Sequence, residues 1–437
     1  MNGGKTEARV GGRVDGGAEK RWEKPGSHSG ARTAAEMRVE TGRGDRAPER
    51  SRVPRKRTTA VLGLVLIVVF CGCLVYLNAG IDKVPLRPTG GSQFAKACVD
   101  DVLESNIEQS EEGEMQGNQR VLLTITSGEY AGSQVEATSP YSNNSGALCE
   151  DGQRVIVLVN EGSAGSLTAT VYNYDRGFEL WILVAVFLAL LCLVGGRAGV
   201  LSAAGLLFTF ACLFFFFLPL IYVGVSPFLT AAATVVLVTI VGIYLIGGWS
   251  VKTVSAVFGT IVGVLVAGAV AWAFGSLAHI SGLNVDDVET LAYIGQNSKI
   301  DVAGLLFAGI LISSLGAVMD VSMSVASTVA ELHARNPSLG FRQLFDSGMT
   351  VGRDMMGTMT HTLILAFAGG AINTIVIIYA YSMPYLEFMN GYAIGIEIMR
   401  GLSGSIGIIL AVPFVSAFSA YLSTRFDARL GACGAQA

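Results

Sequence analysis

Runs of about 20 apolar residues, the length that crosses a bilayer's hydrocarbon core, recur eight times along this chain of 437 residues. They lie near 59–77, 178–195, 198–220, 227–247, 254–275, 302–323, 357–380 and 401–422. Inside lipid a chain must satisfy its own backbone hydrogen bonds, and for runs of this length the α-helix does so. The expected fold class is therefore an all-α polytopic membrane protein of about eight transmembrane helices. With 51% apolar and only 15% charged residues, an ordinary soluble domain is excluded. A further apolar stretch near 385–399 is expected to lie flat at the outer interface, since Glu387, Glu397 and Arg400 argue against its spanning.

Charge orients the runs. Residues 1–57 carry 15 of the 30 Lys and Arg against 8 acidic residues, whereas residues 78–177 carry 6 basic and 14 acidic. Basic segments stay in the cytoplasm, so the chain divides into a disordered basic cytoplasmic tail (1–57), a first transmembrane helix (58–77), an extracytoplasmic domain (78–177), a seven-helix membrane domain (178–425) and a cytoplasmic tail (426–437). The tail is rich in Gly, Arg, Glu and Ala and too poor in large aliphatics to build a core. Alternation from an inside N-terminus places Arg197, Lys252, Arg335, Arg342, Arg353, Arg425 and Arg429 in the cytoplasm and the acidic loop 276–301 outside. Both termini are then cytoplasmic. No removable signal peptide is expected, because the basic region before the first run is too long.

Within 78–177, the segments RVLLTITSG (120–128), RVIVLVN (154–160) and TATVYNY (168–174) alternate or run in β-branched residues. They predict a small β-rich domain, a sheet or barrel, between helices 1 and 2. The acidic stretch 93–115 before it reads as a weak helix. Cys98 and Cys149 are the domain's cysteines, and a disulfide and two free thiols are equal readings. Cys192 and Cys212 fall in spans and read as packing residues.

No nucleophile elbow, zinc motif, phosphate loop or paired C-x-x-C occurs. No catalytic residue, metal or cofactor is read from the sequence, and an enzyme is not expected. Polar residues inside the runs are more informative. Ser313, Asp320, Ser324, Ser327 and Glu331 project within about 60° of one another at about 100° per residue. Such a line marks a place where polar groups are tolerated inside a membrane. Past the next loop of about 25 residues, Asp354, Thr358 and His361 share a face beside Arg353. The two patches are expected to meet in the cytoplasmic half of the bundle. An Asp320–Arg353 ion pair that locks two helices and a relay for a cation or proton are the alternatives there. Glu397 and Arg400, one turn apart, read as an i, i+3 pair at the outer interface. Gly259-x-x-x-Gly263 has the spacing of close helix contacts, and Pro219 and Pro413 are expected to kink or end their helices.

Three blocks carry a resemblance: GAVMDVSMSVASTVAEL (316–332), SGMTVGRDMMGTMTHTLILAFAG (347–369) and IEIMRGLSGSIGIILAVP (396–413). Together they resemble the YibE/F-like family of bacterial membrane proteins, and the likeness extends over about 120–425. The resemblance implies a bacterial plasma membrane and about eight spans. It marks Asp320, Gly352, Arg353, Asp354, Gly357, Thr358, Glu397, Arg400 and Pro413 as family-pattern residues, with Asn the commoner residue at the position of His361. The family has no established biochemical activity.

The expected function is a transporter or channel-like permease for a small solute or ion, with Asp320, Arg353, Asp354 and Glu397 on or near its path. The alternative is a non-transporting membrane scaffold or envelope sensor whose outside domain binds a ligand or partner. The expected partners are the lipid bilayer, a small solute or ion, and further copies of the chain; no nucleic acid is expected.

Overall fold

The computed structural model describes residues 72, 74–76, 78–81, 92–109, 113–142, 145–161, 167–285 and 288–434, with side chains as far as residue 425. The expected tail at 1–57 and most of the first run lie outside the described residues.

Five strands, β1 (Gln93–Gln109), β2 (Met115–Ile125), β3 (Gln134–Tyr141), β4 (Arg154–Glu161) and β5 (Leu167–Tyr174), close into a barrel in the order β1-β2-β3-β5-β4. All pairings are antiparallel except β3 with β5. This is a five-stranded Greek-key barrel of the OB type. Alternate residues point inward, so Val99, Val121, Leu123, Ile125, Val155, Val157 and Val171 form a dry core. Burial of each such side chain contributes about 1.5–3 kcal/mol.

The segment 93–109 is strand, not helix. Bulges between Val99 and Asp101 and between Val102 and Glu104 break its period-2 pattern, which hides the strand from a sequence reading. Those bends let one strand pair with β4 through its first half and with β2 through its second. β3 carries only a weak strand pattern, because its inward positions are small or polar: Ala137 and Ser139 beside Val135.

One end of the barrel is closed by Ala147–Cys149. Gln119 accepts from the Cys149 amide at 2.7 Å and donates to its carbonyl at 3.3 Å, and Ser139 donates to the Ala147 carbonyl at 2.6 Å. Cys149 is therefore buried in the interior at 3% exposure, while Cys98 lies on the outer side of β1, between the inward Ala97 and Val99. The two thiols are free. Burial pushes the Cys149 thiol above its usual range. In the full chain in detergent at neutral pH, Cys98 is expected to alkylate and Cys149 to resist until the barrel unfolds, with no Cys98–Cys149 disulfide peptide in a non-reducing digest. Peptide mass mapping of the labelled protein checks this.

Two ion pairs join the barrel to the helix that follows it, one at its first turn and one just before its start. Lys96 Nζ lies 2.9 Å from Asp175 and Arg154 Nη2 lies 3.0 Å from Glu179. The hydrogen bond from Lys96 holds the Asp175 carboxyl below its usual range.

That helix, α1 (Gly177–Cys212), continues through a π turn at Leu213–Phe217 into α2 (Leu218–Val223). A straight rod of these 47 residues would measure about 70 Å, more than twice a hydrocarbon core of about 30 Å. The rod breaks at Gly196, whose φ of 53° and ψ of −130° suit only glycine. A side chain at Gly199 would fall on the Leu191 carbonyl. The chain thus doubles back, and the two arms correspond to the runs expected at 178–195 and 198–220. Pro219 has no N–H to give the Phe215 carbonyl; Asn78, at the end of the first run, supplies one from its side chain at 2.9 Å.

The remaining elements are α3 (Pro227–Gly247), α4 (Val251–Ala278), α5 (Val288–Asn297), α6 (Val302–Arg335), α7 (Phe341–Gly370), α8 (Ile372–Ala380), α9 (Tyr385–Met389) and α10 (Tyr392–Gly434). Among the described residues, five helices are long and apolar enough to cross a membrane, and six if the pair α7 and α8, bent by 63°, is one span. Three boundaries differ from expectation. The 25-residue loop after the sixth run is only Asn336–Gly340, because α6 runs on to Arg335 and α7 starts at Phe341. Charged residues at 342, 346, 353 and 354 lowered the hydropathy there without ending the helix. The segment expected to lie flat at 385–399 is α9 and then the start of α10, which runs unbroken past Pro413 and through the expected tail to Gly434.

α4, α6 and α10 form the core of the bundle around Val264, Val318, Val321, Val325, Ile408 and Val412. Glycines on α4 supply the notches. Gly259 receives Val415, Gly263 receives Ala411 and Val318, and Gly268 receives Leu311, so the Gly259-x-x-x-Gly263 spacing is a true helix contact. α1, by contrast, exposes apolar side chains all round, among them Trp181, Leu183 and Leu193. Such a surface suits lipid.

Candidate functional site

The line on α6 lies where its periodicity predicts, but it does not face α7. Val318, Leu311 and Val329 meet α4 and α7, and each projects about 160–180° away from Asp320. Met319 and Met323, on one flank, reach Gly242 and Gly247 of α3. Asp320 and Ser313 are consequently exposed in the single chain, Ser324 and Ser327 half-buried. On the same edge Gly309, before Ser313, and Gly316, between Ser313 and Asp320, are also open, with nothing near their Cα hydrogens.

The second patch is turned outward as well. Gly348 of α7 packs against Val329 and Ser416, and Gly352 against Val412. Asp354 and His361 project about 180–200° from Gly352, and Arg353 about 140° from Gly348. Arg353, Asp354, Thr358 and His361 are all exposed, and the Thr358 hydroxyl bonds back to the Met355 carbonyl at 3.0 Å. The expected meeting of the two patches does not occur. Among the described residues Asp320, Arg353 and Asp354 have no ion-pair partner, so the Asp320–Arg353 lock is not made within one chain. Their depths do agree. At 1.5 Å per residue Asp320 lies about 22 Å from Arg335 and Arg353 about 18 Å from Phe341, the adjoining ends of α6 and α7.

Towards Arg335 the line opens into a groove of about 790 Å³ bordered by Lys252, Ser327, Thr328, Glu331 and Arg335. Glu331 and Arg335 pair across one turn at 2.7 Å. Lys252 and Thr328 were not foreseen, since Lys252 stands at the start of another helix and only the fold brings it here. From the groove at Glu331 and Ser327 the line runs on through Ser324 and Asp320 and, past Gly316, to Ser313, on a helix whose opposite side packs among valines and leucines.

A second polar position surrounds the break at Ala371. Glu397 and Arg400 pair at 2.7 Å as their spacing predicts. Glu397 borders an apolar cavity of about 250 Å³ with Ile364, Phe367 and Ile398, and a polar one of about 270 Å³ with Asn284, Thr374 and Arg400. The run at 357–380 reads as continuous, and the adjacent Gly369 and Gly370 were the available sign of the break. The sequence also gives no sign of the buried hydroxyls on Ser255, Thr260, Ser322, Ser416 and Ser419, which have no hydrogen-bond partner among the described residues. Small hydroxyls in membrane helices look like packing residues. No group of three or more residues able to hold a metal occurs among the described residues.

The family model described as YibE/F-like protein matches residues 183–425. No curated protein and no solved structure matches the chain.

Proposed function

The chain belongs to the YibE/F-like family, and from that premise we propose that it is a permease for a small cation or other small solute, with the polar edge of α6 as one wall of the path. The observation that carries this reading is the groove that Ser327 and Glu331 border beside Lys252, in helical line with Ser324 and Asp320 further along the same edge. Intramembrane carboxylates are costly in lipid and tend to mark ion or substrate routes. Asp320 would bind the passing charge and the serine hydroxyls would replace part of its water shell. The cavity at Glu397 and Arg400 beside the broken helix is the second polar station, in keeping with the interrupted helices that form sites in other transporters. On this reading the protein has eight spans, counting the first run and both arms of α1–α2, and sits in a bacterial plasma membrane with both termini in the cytoplasm.

The test is flux in proteoliposomes over a panel of ions and solutes on which the wild type is active, with Asp320→Asn and Asp354→Asn as the variants. Equal flux by wild type and Asp320→Asn would remove the path from this edge.

A second reading is a scaffold or envelope sensor. The closed barrel tied by Lys96 and Arg154 to the start of α1 favours it, because a ligand on the barrel would act directly on that helix. Deleting residues 93–172 separates the two. A permease retains at least part of its flux, whereas a sensor loses its function with the barrel.

A further inference from the structure

We infer that the chain assembles head to tail with copies of itself, the Arg353 of one copy meeting the Asp320 of the next. Four observations converge on it. The outer edge of α6 is polar and small, with Gly309, Ser313, Gly316 and Asp320 exposed and Ser324 half-buried, whereas the exposed surface of α1 is apolar; α1 suits lipid and α6 does not. Asp320 and Arg353 are of opposite charge, exposed, and without ion-pair partners among the described residues. They lie within a few ångströms of the same depth, by the helical rise of about 1.5 Å per residue. Finally, they point in nearly opposite directions. Asp320 lies about 180° from Val329 on α6, Val329 packs on Gly348 of α7, and Arg353 lies about 140° from Gly348.

The last point decides the symmetry. A twofold dimer needs both members of a reciprocal pair on one face, and here they occupy opposite sides of the α6–α7 pair. Opposite sides give a heterologous contact, which closes into a ring when the rotation permits. The charge pair then sets which face and which depth. The described end of the hydrophobic run before the barrel bonds to Phe215 through Asn78 and shares a cavity with Ile300, which makes that run the competing cover in the test.

This inference uses the position of the α6 edge but not its transport role. If both are right, the path runs at a boundary between copies, and Arg353 of the neighbour is the resting counter-ion of Asp320 that an arriving cation displaces.

The test is cross-linking in native membranes with two differently tagged full-length forms, one carrying Asp320→Cys and the other Arg353→Cys, joined by a short bis-thiol reagent. A product containing both tags is expected, with a ladder beyond two copies when one chain carries both substitutions. Ser324→Cys, nearly isosteric and so expected to fold, paired with Thr350→Cys, exposed at the matching depth of α7, keeps both charges at the contact and gives the same product even where loss of a charge weakens it. Three results overturn the inference. One is linkage of Asp320→Cys only to itself, the mark of a twofold contact. Another is an internal link from Ser313→Cys or Ser324→Cys to Cys71 or Cys73 of the hydrophobic run at 59–77, which makes that run the cover. The third is monomer alone in every pairing, at labelling levels that show the thiols reacted. Because no arm measures flux, failure of the assembly and failure of the permease reading stay distinguishable.

Discussion

Asp320→Asn protein, inserted at normal levels, is expected to carry flux at least about tenfold below wild type, the change that about 1.4 kcal/mol makes in a rate. Asn keeps the size of Asp and its capacity to accept a hydrogen bond, so packing is left alone and only the charge is removed. At a separation of 4 Å and an effective dielectric constant of about 20, a carboxylate attracts a monovalent cation by about 4 kcal/mol. Even part of that attraction exceeds what a tenfold loss requires. Asp320→Glu, with charge retained and displaced by one methylene, is expected to recover much of the flux. Initial rates in proteoliposomes at matched protein density measure both.

The largest structural effect is expected at Gly263. A Cβ there would lie 2.7 Å from the Ala411 and Val318 side chains and 3.0 Å from the Gly407 carbonyl. Neighbours on α6 and α10 crowd the same point, so no rotamer of a larger residue relieves the clash and the three-helix core must open. Gly263→Leu is expected to cost about 3 kcal/mol or more, the upper end for overpacked cores. Gly205→Leu, where nothing lies within 4 Å, is expected to change stability by no more than about 0.5 kcal/mol. The unfolding midpoints of the two variants in mixed detergent make the comparison.

What the sequence disclosed and what it concealed follow from which interactions are local. Hydropathy located the helices because burial in lipid depends on composition over one run. The i, i+3 pair of Glu397 and Arg400 and the glycine spacing on α4 were legible for the same reason: one helix supplies the whole pattern. Concealed features depended on neighbours. β1 lost its alternation to two bulges that exist only because the strand serves two partners. The start of α7 at Phe341 was hidden by charged residues that lower hydropathy but do not break a helix. Periodicity placed Ser313, Asp320, Ser324 and Ser327 on one edge, yet it could not say what that edge faces. The direction became known only from Val329 against Gly348 and Leu311 against Gly268 on the opposite side of the same helix. The family match covers these helices, and the barrel lies before it.

The central claim is that the edge of α6 from Ser313 to Ser327 is lined by water, and site-by-site thiol reactivity tests it most directly. Single cysteines at 313, 316, 320, 324 and 327 are to be compared with cysteines at the buried positions 314, 318, 322 and 325, using a small membrane-impermeant thiol reagent on intact membranes. The account predicts fast labelling at the first set and almost none at the second, with a lipid-facing control at Leu193→Cys as slow as the second. Labelling at 320 and 324 no faster than at that control would contradict it.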